Sequence, residues 1–125
     1  MALSPRIVRT ISYGKRAPIA GNSQKHLDWL KTLPSMVSGI EPAGDAHHLL
    51  GNVDGLPKGV GRTNSDRWAV PLTRAEHDAA HAAGNDEEHF RRMGIDARAP
   101  AAALWRESGN TDAAYRLLYR ARVKT

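Results

Sequence analysis

From Thr73 onward the chain carries helix punctuation at nearly every boundary, and this restricts its second half to a run of short helices. Thr73 and Glu76, in TRAE, match a capping box, in which each side chain satisfies a backbone N–H at the helix start. That helix is expected to run to about Ala83, with Gly84 suited to the left-handed residue past its end. A second helix is expected from Asn85–Glu88 to Gly94. Pro100 suits the first turn of a third, APAAALWRES, with Gly109 beyond it. The last, TDAAYRLLYRARVK, turns Ala114, Leu117, Leu118 and Ala121 inward and leaves Arg116, Arg120 and Arg122 outside.

The first half is less regular. Residues 1–22 read as a basic, turn-rich arm, with Arg6, Arg9, Lys15 and Arg16 spread among prolines and glycines. A single domain is expected over 23–125. It opens with the helix SQKHLDWLKTL, which aligns Leu27, Leu30 and Leu33 and stops at Pro34. AHHLL reads as a strand, and WAVPL as a second strand closed by Pro71, with a long glycine-rich loop between them.

Bulk properties bound the function. At 41% hydrophobic and 25% charged residues the chain reads as globular. No apolar run approaches the roughly 18–20 residues of a membrane span, and the first residues lack a secretory leader pattern, so a cytoplasmic, membrane-free location is expected. There is no cysteine, which excludes disulfides and thiolate-bound zinc. Any metal must be held by His, Asp or Glu. The formal charge of +5 favours a polyanionic partner.

Four of the six histidines fall in two pairs. His77 and His81 are one helical turn apart, so both rings project from one face, the spacing that helical metal ligands use. His47 and His48 are neighbours on a strand, where side chains alternate. One site could use both only at a strand end or bulge; otherwise one ring is core and the other exposed. His26 and His89 are expected to have no functional role, and Trp29, Trp68 and Trp105 to be core.

A strand ending in His-His, a glycine-rich loop, a second strand and a capped helix bearing His-x-x-x-His together resemble the ββα-metal unit of HNH endonucleases. HLDWLKTLPSMVSG, SDRWAVPLTRAEHDAAH and GNDEEHFRRMGIDARAPAAALW are similar to phage- or prophage-derived members, among them the recombination-enhancement nucleases, over roughly residues 26–105. The resemblance implies an α+β fold, mainly helical overall. Its ββα-metal core, with a two-stranded hairpin, would lie at about 44–84, and further helices at 85–124. It implies a DNA endonuclease or nickase of low sequence specificity. His47, His77 and His81 would hold one divalent ion, and His48 would be the general base. An all-imidazole set favours Zn, Ni, Co or Mn over Mg.

Lys58, Arg62, Arg67, Arg91 and Arg92 are the expected phosphate contacts. DNA is the expected partner, and a recombinase filament a candidate for delivering the protein to it; the oligomeric state stays open. The alternative is a nucleic-acid-binding recombination accessory module whose nuclease centre is weak or silent.

Two departures from the family stand out. Many relatives hold a structural zinc with two cysteine pairs, and here Ser35 and Ser38 occupy the first pair and Thr73 and Glu76 the second. No structural zinc is expected, although such a site supplies about 10–16 kcal/mol in zinc-finger peptides against about 1 kcal/mol for a cap. The middle Asn of the HNH motif is also displaced. The usual interval before His77 lands on Trp68, leaving Asn64 and Asp66 as candidates for bracing the loop.

Overall fold

A computed structural model gives the fold of residues 22–51, 53 and 64–123. Residues 1–21 of the expected basic arm, and the loop carrying Lys58 and Arg62, lie outside the described residues. The described residues form an α+β fold of five helices and one antiparallel two-stranded sheet, the class expected from the sequence.

Ser23 starts α1 (Gln24–Lys31), its hydroxyl accepting from the His26 amide and satisfying one of the unpaired N–H groups of a helix start. The chain then reaches β1 (Asp45–His48). A 3-10 turn, Asp66–Trp68, leads into β2 (Ala69–Leu72), which pairs with β1 in the register His47↔Val70 and His48↔Ala69. Four helices follow: α2 (Arg74–Ala83), α3 (Asp86–Arg91), α4 (Arg98–Arg106) and α5 (Thr111–Arg122). The capping box at Thr73 and Glu76 is complete, and Gly84 ends α2 with φ +79°.

The strands differ from expectation at their ends. β1 begins at Asp45 and stops at His48, while Trp68 belongs to the turn. Pro71 lies inside β2, opposite Ala46, instead of closing the strand. Its carbonyl accepts from the Met36 amide, away from β1. Position 71 therefore faces outward from the ladder, and the N–H that proline lacks costs the sheet nothing.

A lone hairpin is marginal in water, and this one is stabilised by helices. Leu30, Leu33 and Met36 from the first segment meet Val70 and Leu72 of β2, with Phe90, Leu104 and Leu118 from the later helices. Trp29 and Trp68 pack against this core as expected. His26 is buried within it, bonded at 2.7 Å to the Ser108 hydroxyl and lying edge-on to Trp105.

Ser35, Ser38, Thr73 and Glu76 converge. The fully buried Ser35 donates to Glu76 Oε1 at 2.5 Å. The same oxygen accepts from the Thr73 amide at 2.8 Å. Ser35 Oγ in turn accepts from the amides of Val37 and Ser38. Burial opposes ionisation of Glu76, yet hydrogen bonds from Ser35, Ser38 and Thr73 hold its carboxyl below the usual range. A hydrogen-bonded cluster thus joins the 35–38 turn to the start of α2.

Arg122 is half-buried, not fully outside as the helical pattern suggests. Its guanidinium lies over Gly39, where an added Cβ would sit 2.9 Å from the guanidinium carbon and the backbone φ is +79°. The guanidinium ends a flexible side chain and could move aside, so it is the left-handed conformation that favours glycine there.

Two outcomes follow for stability. Glu76→Ala removes half the capping box and leaves the buried Ser35 O–H without its acceptor; urea denaturation should show a loss of about 2–4 kcal/mol. Burial lowers the His26 pKa, against the opposing charge of Asp66. The unfolded chain therefore binds this proton more readily, so the stability is complete above about pH 6.5 and is lost as pH falls below it. His26→Leu should flatten the slope of urea midpoint against pH between 7.5 and 5.

Candidate metal centre

β1 and α2 carry the three rings. Strand alternation puts Asp45 and His47 on one face of the hairpin, and α2 lies against that face with His77 and His81 one turn apart. One ligand-competent atom each from His47, His77 and His81 lies within 4.8 Å of the other two. The His47 ring is centred 5.0 Å from that of His77 and 5.3 Å from that of His81. Phe90 closes another side of His47, edge to face at 5.9 Å.

Two carboxylates orient the set. His47 is fully buried, and its Nε2–H donates to Asp86 Oδ2 at 2.7 Å. The Leu50 amide donates to the same oxygen, so Asp86 also fixes the chain just past β1. On the other ring nitrogen, Nδ1, His47 is buried without any hydrogen-bond partner. His77 Nδ1–H donates to Asp45 Oδ2 at 3.0 Å, and Arg74 reaches the same oxygen. His77 Nε2 then stands 3.1 Å from His81 Nε2.

The electrostatics match this assignment. Burial depresses the His47 pKa more than the Asp86 bond raises it, so the ring is held neutral. Burial resists ionisation of Asp86, but the bonds from His47 and Leu50 keep its carboxyl below the usual range. Asp45 is held low chiefly by its bond from His77. An unpartnered lone pair on a buried neutral imidazole is costly unless something occupies it. Metal-binding histidines characteristically give their second N–H to a carboxylate, and two of these three do so. The donor set therefore fits a divalent ion of the zinc-like, imidazole-preferring kind.

His48 does not share that centre. Alternation sends it to the face opposite His47, where its Nε2–H donates to Asp66 Oδ1 at 2.8 Å. Asp66 Oδ2 accepts from the Ser23 amide at 2.7 Å, tying this dyad to the start of α1. His48 is the last residue of β1 and is about a quarter exposed.

Asn64, one of the two loop-bracing candidates, bonds across the loop. It is buried, and its amide donates to the carbonyls of Leu49 and Gly51, pinning the chain where the loop leaves β1. Arg67 is exposed beside Asp66. Arg91 and Arg92 are also exposed but share Glu88 as an ion-pair partner. Beside Asp86 a cleft of about 630 Å³ is walled in part by Arg91 and Arg98, and none of the three clustered histidines lines it.

Sequence reasoning assigned the histidines but missed Asp45, Asp86 and the partner role of Asp66. The only local signal was the acid in DAHH, two residues before His47. Asp86→Asn should weaken Zn²⁺ or Ni²⁺ binding by about 10–100-fold in isothermal titration, while the far-ultraviolet circular dichroism of the wild type persists after chelation. Binding should also weaken as pH falls through the imidazole range, because the ligands must be deprotonated.

No curated protein and no solved structure matches the chain at a significant level. One family model does match, over residues 14–99, and its description is "Protein of unknown function (DUF968)". That match spans well over half of the 125 residues, and the chain belongs to the DUF968 family.

Proposed function

We propose that the protein is a metal-dependent DNA endonuclease or nickase of the HNH kind, with low sequence specificity. The observation that carries this reading is the buried, unpartnered Nδ1 of His47 beside His77 and His81, with carboxylates behind two of the three rings. His47, His77 and His81 would hold the ion. When bound, it would supply Lewis-acid stabilisation of charge on the phosphoryl and leaving oxygens.

The protein's own groups do the rest. His48 keeps its Nε2 proton on Asp66 and offers Nδ1 to a water, so the proton taken on hydrolysis resides at Nδ1. The Asp66 carboxylate then stabilises the imidazolium, the part a carboxylate plays behind a catalytic histidine. Asn64 holds the chain beyond β1, which fixes where the strand ends and His48 emerges. Arg67, exposed and next to Asp66 in the chain, would meet a phosphate, with Arg91 and Arg92 as further contacts. The histidine centre lies outside the cleft beside Asp86, which suits a polymer laid across the surface better than an engulfed small molecule.

One observation favours the second reading, a DNA-binding accessory module with a silent centre: His48 is bonded to Asp66 and is not among the three clustered rings. Incubation of supercoiled plasmid with Mn²⁺, Co²⁺, Ni²⁺, Zn²⁺ or Mg²⁺ separates the two. Nicking by the wild type should fall about 10²–10⁴-fold in His48→Ala, with metal binding retained. DNA binding without cutting under every ion would overturn the nuclease reading.

A further inference from the structure

Four large hydrophobic side chains are exposed among the described residues, and three of them gather at one corner of the molecule: Ile40, Tyr115 and Tyr119, at 58%, 41% and 57% exposure. Residues 39–41 run alongside α5. Gly39 lies beneath the Arg122 guanidinium, Glu41 accepts from the Tyr115 hydroxyl at 2.5 Å, and Ile40 falls between them. The outer surface of α5 is two parallel stripes. Tyr115 and Tyr119 form one, a turn apart, and the exposed Arg116 and Arg120 form the next. Neither arginine makes an ion pair among the described residues. Arg122 sits 5.6 Å over the Tyr119 ring, a cation–π contact that leaves Tyr119 more than half exposed.

Paired aromatic and cationic stripes match the alternating chemistry of a nucleic-acid strand. Bases have apolar faces that stack on tyrosine, and the phosphates between them are met by arginine. Residues four apart on a helix are separated by about 6 Å along its axis, wider than the roughly 3.4 Å between stacked bases in a duplex strand. The spacing therefore suits an extended, unstacked strand. The Glu41 bond tethers the Tyr115 hydroxyl, which limits the ring's freedom before any partner arrives.

We propose that the Tyr115–Tyr119 and Arg116–Arg120 stripes of α5 form a binding surface for single-stranded nucleic acid, separate from the histidine centre. The choice of occupant rests on the DNA-acting reading above; the surface itself does not depend on that centre being active. A second copy of the chain is the competing occupant.

The test is fluorescence anisotropy of the full chain with a labelled thymidine 15-mer and with a duplex of equal length, at low salt with chelator present. Tyr119→Ala should weaken 15-mer binding roughly 5- to 100-fold, and Tyr119→Phe should restore most of it. Arg116→Ala with Arg120→Ala should weaken it further and flatten its salt dependence. Duplex affinity should respond far less to Tyr119→Ala. Unchanged 15-mer affinity in Tyr119→Ala, checked as folded by circular dichroism, would overturn the proposal. So would concentration-dependent dimerisation that Tyr119→Ala abolishes while 15-mer affinity stays the same. Plasmid nicking by the wild type is scored separately. Nicking without tyrosine-dependent binding refutes the surface alone, and tyrosine-dependent binding without nicking refutes the nuclease reading alone.

Discussion

The placement of α2 is the constraint on which the candidate centre depends, and one carboxylate sets it. Glu76 takes the Ser35 hydroxyl and the Thr73 amide on the same oxygen, so the first turn of the helix is tied to a buried turn more than thirty residues earlier. His77 and His81 follow directly along the helix. A rotation of α2 by one residue would swing both rings about 100° away from β1. The cluster therefore holds more than the local fold together. It fixes the azimuth from which two histidines approach a third.

Four oxygen-bearing residues, Ser35, Ser38, Thr73 and Glu76, join the 35–38 turn to the start of α2 through hydrogen bonds. Helices α4 and α5 add Leu104, Ala114 and Leu118 to the core, giving the hairpin a backing that a minimal metal-stapled unit lacks. This division leaves the histidine cluster as the one group of candidate metal ligands among the described residues.

Much of this was legible in the primary structure, and what escaped notice did so for physical reasons. The capping box, Gly84 and the His77–His81 face are local features, encoded within one or two helical turns, and each is found in the fold. The in-strand Pro71 was misjudged because its tolerance depends on which way its backbone faces, which the register sets and composition does not. The carboxylates behind the histidines were missed because they lie 39, 32 and 18 residues from their partners. No periodicity reports such contacts. The bonds of Asn64 to the Leu49 and Gly51 carbonyls likewise span more than ten residues and leave no local pattern.

Asp86 belongs to α3, yet it clamps a ring on β1. The hairpin and α2 consequently contain the three imidazoles without being a self-sufficient cassette. Excising 44–84, or grafting those residues onto another scaffold, would transfer the ligands and leave behind the anchor that decides which nitrogen of His47 is presented. Helix α3 is thereby joined to the histidine cluster, and a change at Asp86 would be felt by the His47 ring before it was felt in the core.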